Sequence, residues 1–522
     1  MNERETGVWA GRAARGGRGG GRRALAAGAA LLAAASVAPP CRAQANHRPT
    51  TLGGRSILMG GTGVALARDA SAPFLNPATM VRIADRRVAF SINAYALSVV
   101  NLSEWYRPRQ PYLSGVGAVP GRRTTAQDIA FDDLPSTLCV FLLDPPRGPE
   151  AAGGAAPAAD TGSGHARPPR APAGAKKLAV CFGNADRRDF GLYDDERQAG
   201  GGAVSLQTSS TIHRWRRYVL GPSFAYALSD EFVVGASAYA QYGVFRGLWS
   251  TNVWADDGAG GAAVTSFDHL ARGREFALVG SVGATYRQGD VTLGLSIAPP
   301  TLSIAGTASA HHFVRDARDQ TLAWRGSGSF STALPWRAVL GAGFERGRTT
   351  YELDLGLSAP TRRAYRARLE GDVAAGGGLS GSLPFARSDS ERARPVVNLS
   401  AGVEHFVGPS LSLLGGVGTD VSAVPPDALD RDHPFPFFTD RTSRVTFSLG
   451  VGSYGAGGEL LGGFAFDYGW GSRLGVDAFS DSPDFAVARQ RSYSVLFVLS
   501  GSQSVRALRR AIEDVQKVVG RK

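Results

Sequence analysis

The sequence predicts an all-β protein: a transmembrane antiparallel β-barrel of about fourteen strands, with a segment ahead of the first strand and a short amphipathic helix after the last. Three observations predict it. The chain starts like an exported protein, its middle alternates apolar and small or polar residues with a period of two, and tight turns take turns with long connections.

The N-terminus comes first. Arg4, Arg12, Arg15, Arg18, Arg22 and Arg23 precede an apolar stretch over 24–38, ALAAGAALLAAASVA, and Ala43-Gln44-Ala45 follows. A basic region, a short apolar region and a small-x-small site predict a cleaved signal peptide over 1–45. Ala38-Pro39-Pro40 before Cys41 does not fit a lipobox. Removing the leader lowers the formal charge from +12 to about +7, with the basic residues scattered. That is no nucleic-acid footprint, which requires basic charge gathered on one face.

From residue 87 the alternation takes over. Val445, Phe447, Leu449 and Val451 are separated by Thr446, Ser448, Gly450 and Gly452, and Val397, Leu399, Ala401 and Val403 by Asn398, Ser400, Gly402 and Glu404. One apolar face at period two is a strand with one side in an apolar medium. The strands fall at 87–99, 134–143, 177–185, 218–228, 231–245, 274–287, 291–305, 325–345, 351–358, 394–407, 411–422, 444–456, 460–474 and 491–501. Pro299-Pro300 and Pro335 interrupt two of them and predict kinks or bulges. Tight turns such as Ser229-Asp230, Gln288-Gly289-Asp290 and Arg346-Gly347-Arg348 join pairs on one side. Long loops over 184–217, 246–273, 306–324, 359–392, 424–442 and 475–488 are expected on the other. A closed sheet suits lipid because it pairs every backbone group internally. The competing architecture is a soluble sandwich or propeller; no fixed repeat supports the propeller, and the turn asymmetry over more than 400 residues opposes the sandwich.

The domain plan is therefore 1–45 leader, 46–86 N-terminal segment, 87–501 barrel and 502–522 helix. The stretch 145–175 is rich in Pro, Ala and Gly and reads as a disordered periplasmic insertion. In the helix at 504–520, Val505, Leu508, Ile512, Val515 and Val519 form one stripe, with Ser504 as N-cap and Gly520 as stop. So apolar a face predicts a partner, either the barrel mouth or a periplasmic protein. If strands two and three pair with Leu143 opposite Lys177, Cys139 faces Cys181, and the periplasm would permit a disulfide.

Residues 52–97 carry Gly60, Gly61 and Gly63, then Asp69-Ala70, then Asn76-Pro77-Ala78, then a strand about ten residues later. In that order, after a leader, they resemble the N-terminal hatch and first strand of the FadL/TodX family of outer-membrane transporters for hydrophobic compounds. The resemblance implies a monomeric fourteen-stranded barrel closed by a hatch, carrying long-chain fatty acids or similar molecules. It also implies lateral exit at a kink in the third strand, where Phe182, Gly183 and Asn184 stand. Within the hatch, Asn76 has a donor and an acceptor to pin a turn, Pro77 forces it extended, and Ala78 permits close wall contact. The chain departs from the family in its insertion and in not ending on its last strand.

No catalytic constellation, cofactor or metal is indicated: there is no G-x-S-x-G, Walker loop or C-x-x-C. Asp268-His269 and His311-His312 read as loop residues, and Gly60-Gly61-Thr62-Gly63 lacks the strand–helix setting of a phosphate loop. Phe245, Leu248, Trp249 and Trp254, with Phe435, Phe437 and Phe438, flank expected loops. They form either the aromatic girdle of a barrel or a greasy access groove. The expectation is an outer-membrane channel for hydrophobic molecules, in contact with outer-membrane lipid and lipopolysaccharide; the alternative is a structural or secretion-associated barrel binding a protein through helix 504–520.

Overall fold

The computed structural model describes residues 52–83, 85–105, 122–130, 136–143, 171–200, 203–256, 261–316, 318–376, 382–429, 435–455, 457–477, 484–509 and 513. The leader, the start of the N-terminal segment, most of the 145–175 insertion and nearly all of the C-terminal helix beyond Arg509 lie outside them.

Fourteen antiparallel strands close into one barrel. They are β1 (Arg87–Trp105), β2 (Arg122–Ala130 and Thr137–Phe141), β3 (Lys176–Gly200), β4 (Ala203–Ala227), β5 (Phe232–Asp256), β6 (Ala262–Gln288) and β7 (Val291–Ala298 and Leu302–Arg315). There follow β8 (Thr321–Thr332 and Arg337–Arg346), β9 (Thr349–Ser358 and Thr361–Ala375), β10 (Ser382–Ala393 and Val396–Phe406), β11 (Leu411–Asp420), β12 (Asp440–Gly455), β13 (Gly458–Asp477) and β14 (Asp484–Ser504). Closure is by β1 on β14, in register from Arg87↔Ser504 to Ser103↔Arg489. Closure joins the first strand to the last, so neither is a free sheet edge, as hydrocarbon demands.

The two faces of the sheet have opposite chemistry. On β6, Phe276, Leu278 and Val282 point outward and are exposed, while Glu275, Ala277 and Ser281 are buried. Leu302, Ile304 and Leu449 are about two-thirds exposed, whereas Lys177, Glu404 and Ser412 are wholly buried. Apolar residues outside and polar residues inside are stable when the outer solvent is lipid.

The strands extend further than the apolar alternation predicts. β3, β4 and β5 are each 25 residues long and β6 is 27, so most of 184–217 and 246–273 is strand, not loop. β7 with β8, and β9 with β10, likewise occupy most of 306–324 and 359–392. A bilayer needs only about 9–11 residues per strand, so the remainder stands beyond it. There the outward residues no longer face lipid and turn polar, as Arg246 and Asn252 do on β5, while inward Phe245, Trp249 and Val253 are apolar. The parity of the pattern inverts, and a search for one continuous apolar face stops where it does.

Four adjacent strands break where proline removes a ladder donor: β7 at Pro299-Pro300, β8 at Pro335, β9 at Pro360 and β10 at Pro395. At the C-terminus, Ser504 Oγ accepts from Ala507 N at 3.1 Å and caps a short helix whose Val505 and Leu508 are exposed.

Candidate functional site

Residues 52–83 cross the interior of the barrel as α1 (Gly54–Leu58), α2 (Ala72–Leu75) and a 3-10 turn over Pro77–Arg82. Short helices in a lumen leave backbone N–H groups that water cannot satisfy, so the wall must supply acceptors. It does so with carboxylates. Glu352 Oε1 on β9 accepts from Ala65 N and Leu66 N at 2.7 and 2.9 Å. Asp354 Oδ2, two residues along the same face, accepts from Gly63 N and Val64 N at 2.9 and 3.2 Å.

Glu404 on β10 is the charged anchor. It accepts from Arg55 Nε and Nη2 at 3.1 and 2.9 Å, Arg68 Nη2 at 2.9 Å, Ser412 Oγ at 3.0 Å and Tyr454 OH at 2.5 Å. Burial disfavours charge on both arginines, but Glu404 outweighs it and raises their pKa above the ordinary guanidinium value. Arg82 reaches Glu345 on β8 at 2.6 Å. The motif reading did not single out these acids. Their signal is an acid at an inward position of an alternating strand: Glu352 and Asp354 flank outward Leu353, and Glu404 follows Gly402.

The residues the motif reading did single out lie in the same segment. Gly60 and Gly63 have φ of 68° and 150°, and a Cβ on Gly60 would strike the backbone of Val417 on β11. Gly61, at φ 87°, donates its N–H to Ser56 O at 2.7 Å. Asp69 accepts from Arg55 N at 3.1 Å and caps the turn through Ser71. Asn76 is fully buried: Oδ1 accepts from Ala78 N at 3.1 Å, and Nδ2 donates to Val64 O at 2.7 Å and to Ala284 O of β6 at 3.1 Å. Pro77 opens the 3-10 turn, and buried Ala78 lies against Gly235 of β5.

Above the segment lies a cavity of about 120 Å³, lined mainly by apolar side chains including Leu52, Phe74, Val219, Tyr239, Val279 and Leu334. Phe74 stacks on Tyr239 with centroids 5.3 Å apart, and Tyr239 OH donates to Pro73 O at 2.9 Å. A smaller cavity shares Arg217 and Leu334 with it and is bounded by Asp186, Arg188 and Asp440. Its charges are paired: Arg217 with Asp186 at 2.8 Å, and Arg473 with Asp440 at 2.9 Å.

An aromatic cluster then fills the outer lumen. Phe245 and Trp249 belong to it from β5, Trp249 standing where a loop was expected, and pack with Trp215, Phe267 and Phe330. Phe435, Phe437 and Phe438 fold inward on the connection between β11 and β12, and Tyr365 OH donates to Phe435 O at 3.2 Å. Phe245 lies 5.2 Å from both Phe435 and Phe437. Leu248 and Trp254 instead point away, Trp254 being exposed. The seven residues therefore divide into a luminal set of five and an outward pair. On β5 the division follows strand parity.

On β3, Gly183 faces inward and Phe182 outward, opposite outward-facing Leu138 and Leu220. A one-residue bulge follows, the register stepping from Asn184↔Tyr218 to Asp186↔Arg217. A Cβ on Gly183 would lie 3.0 Å from the Phe74 ring, so this point of the wall is covered from inside. Cys139 and Cys181 occupy opposed positions of β2 and β3, and the structure joins their sulfurs. Asp268 and His269 point to opposite faces: Asp268 meets Ser250 at 2.5 Å, while His269 is buried with Nδ1 3.1 Å from His312 Nδ1.

No family model matches the sequence, and no curated protein matches it significantly. Among solved structures, the chain is similar to the toluene transporter TbuX of Ralstonia pickettii, at 14% identity and TM-score 0.45 over 87% of this chain and 98% of that one. It is similar to the Pseudomonas putida toluene transporter TodX, at 13% identity and TM-score 0.48 over 89% and 99%. A Pseudomonas aeruginosa FadL homologue aligns at 15% identity and TM-score 0.47 over 87% and 98%. The likeness is one of overall barrel architecture.

Proposed function

We propose that this chain is an outer-membrane channel for hydrophobic compounds, exported by its leader, in which residues 46–86 act as a hatch. The observation that carries the reading is the apolar cavity held between residues 52–83 and the wall, beneath an aromatic cluster. A porin for hydrophilic solutes needs an open polar lumen; an apolar molecule needs a dry compartment that replaces its lost water contacts. The size argues for a compact ligand: a protein cavity of about 150 Å³ holds one benzene ring. A single-ring or short-chain apolar molecule fits this compartment better than an extended fatty acid does.

Asn76 tests the hatch, since its amide joins Val64, Ala78 and the β6 wall. Asn76→Ala removes three hydrogen bonds at a buried site, a loss of about 1–3 kcal/mol. The expected outcome is raised leak conductance in planar bilayers or altered uptake of an apolar probe, with barrel yield unchanged. Wild-type behaviour in both, together with free proteolysis of 52–83 in folded wild-type protein, would retire the hatch.

A further inference from the structure

Arginines that are scattered along the sequence meet on the outer face of the long strands. Arg214 of β4 is directly opposite Arg246 of β5, and Arg246 is directly opposite Arg272 of β6. All three point outward and are exposed, so they form one unbroken row. In the next outward row down, Arg187 of β3 opposes Arg216 of β4, and Val244 of β5 separates Arg216 from Arg274 of β6. Like charges directly across a ladder repel. Asp189 of β3 ends the upper row beside Arg214, but it is taken by Arg187 at 3.0 Å and Arg216 at 2.6 Å. Arg214, Arg246, Arg272 and Arg274 make no ion pair or side-chain hydrogen bond with any described residue. By contrast, outward Arg325 of β8 is directly opposite Asp372 of β9.

The height of these rows identifies what meets them. Directly below them the outward row is aromatic: Tyr218 opposes Tyr242, and Tyr242 opposes Phe276 with ring centroids 4.8 Å apart. Exposed Leu220 and Leu278 follow one row further down. An aromatic row above an aliphatic one marks the edge of the hydrocarbon. The tight turns at Ser229-Asp230 and Gln288-Gly289-Asp290 close these strands at the other end, which places the arginines on the extracellular side. Allowing for strand tilt, the two rows stand about 5 and 10 Å above the aromatic one, in the layer of polar headgroups. Above the arginines, Ile212, Leu248 and Leu270 form a half-buried aliphatic row.

We propose that the outer face of β4–β6 is a binding site for the phosphorylated disaccharide of lipid A, the membrane anchor of lipopolysaccharide. The acyl chains lie along Leu220 and Leu278, and the sugars begin at the aromatic row. Arg214, Arg246 and Arg272 then present three guanidinium forks to phosphate, each able to donate two parallel hydrogen bonds. Two phosphates carried on one disaccharide match a row of charges better than a single mobile phosphate does. The aliphatic row above offers a surface to the apolar faces of further sugar rings. A bound anion also cancels the repulsion that the row imposes on the β4–β5 and β5–β6 ladders, so binding stabilises the barrel. The site requires an outer-membrane setting and makes no demand on any cargo, so it goes beyond the channel reading and is independent of it.

The test titrates full-length protein in dodecylmaltoside with bisphosphorylated lipid A and follows the complex by native mass spectrometry. Wild-type protein should hold one lipid A tightly. Combining Arg214→Gln, Arg246→Gln and Arg272→Gln should weaken it about a hundredfold, and Arg246→Gln alone about fivefold. The single variant carries the test if the triple fails to assemble. Combining Arg368→Gln, Arg489→Gln and Arg491→Gln removes the same charge from exposed positions on β9 and β14 and should leave tight binding unchanged. Without lipid, the row triple should melt no lower than wild type, because it loses only repulsion; with lipid A, wild type should gain thermal stability and the row triple should not. Dephosphorylated lipid A, inorganic phosphate and phosphatidylglycerol should each fail to displace bound lipid A. Equal weakening in the two triples, binding unaffected by the row triple, or tight binding of dephosphorylated lipid A overturns the site. Displacement by inorganic phosphate or by phosphatidylglycerol also overturns it, since the row would then be a general anion patch. Uptake of toluene by liposomes free of lipid A reads the channel separately, so either reading can fail alone.

Discussion

Glu404 shows how much of the interior hangs on single side chains. Two guanidinium groups, a phenol and a hydroxyl converge on one carboxylate shielded from water. Removing its charge leaves Arg55 and Arg68 buried without their counter-ion, a class of change that costs about 3–5 kcal/mol. Glu404→Gln should therefore loosen residues 52–83 while the ladders of β10 and β11 persist. Limited proteolysis of folded protein should cut the segment faster, and a fluorophore on Ser56→Cys should gain mobility. Retained protease resistance would show that the backbone bonds to Glu352 and Asp354 suffice. The Gly-rich stretch was legible as a place of close approach. Its carboxylate partners were not, because Glu352, Asp354 and Glu404 lie 286–349 residues away and no local pattern links them.

At the scale of elements, the main correction concerns the upper strands. Apolar-out alternation marks a strand only while it is in lipid, and β3–β6 continue well past that limit. Above the bilayer the same ladder carries polar residues outward and aromatics inward, so Phe245 and Trp249 pack in the lumen with Phe435. Phe435 is fully buried although it lies on a connection, since its ring fills space between β5, β8 and β9. Truncating a buried Phe costs about 3–5 kcal/mol when the space stays empty. In a lumen, water can enter instead. Phe435→Ala is accordingly expected to raise single-channel conductance and to lower the thermal stability of the connection more than that of the barrel; an unchanged conductance would mean the cluster does not obstruct the lumen. The breaks at Pro299-Pro300 and Pro335 were legible as interruptions, those at Pro360 and Pro395 were not, and the start of the C-terminal helix was legible from its cap at Ser504. That four breaks fall on adjacent strands was not legible, because strand neighbours are set by closure.

For the molecule as a whole, closure of β1 on β14 makes the barrel independent of what fills it. The wall pairs its own backbone through continuous ladders on most strands, and residues 52–83 add side-chain contacts on the inner face. Deleting residues 52–83 should give a barrel that still assembles, shows heat-modifiable mobility on gels and leaks small solutes. It would also strip the floor, Leu52 and Phe74, from the apolar cavity. Loss of assembly on deletion would mean that the segment nucleates the barrel rather than filling it.

The sequence by itself determined the barrel class, the strand count and the places of close backbone approach in the segment before β1. These are properties of local order: a period of two, a turn every two strands, glycine where the backbone must pass close. The tertiary structure alone decided which acids hold the N-terminal segment, that the aromatics face inward, and that the prolines of β7 and β8 meet beside one cavity. Each of those facts depends on which residues closure brings to the same height on the barrel wall. Height is set by register and by bulges such as the one after Asn184, each of which reverses the parity of everything beyond it. A one-dimensional pattern carries the alternation but not the pairing that places one strand's inward face against another's.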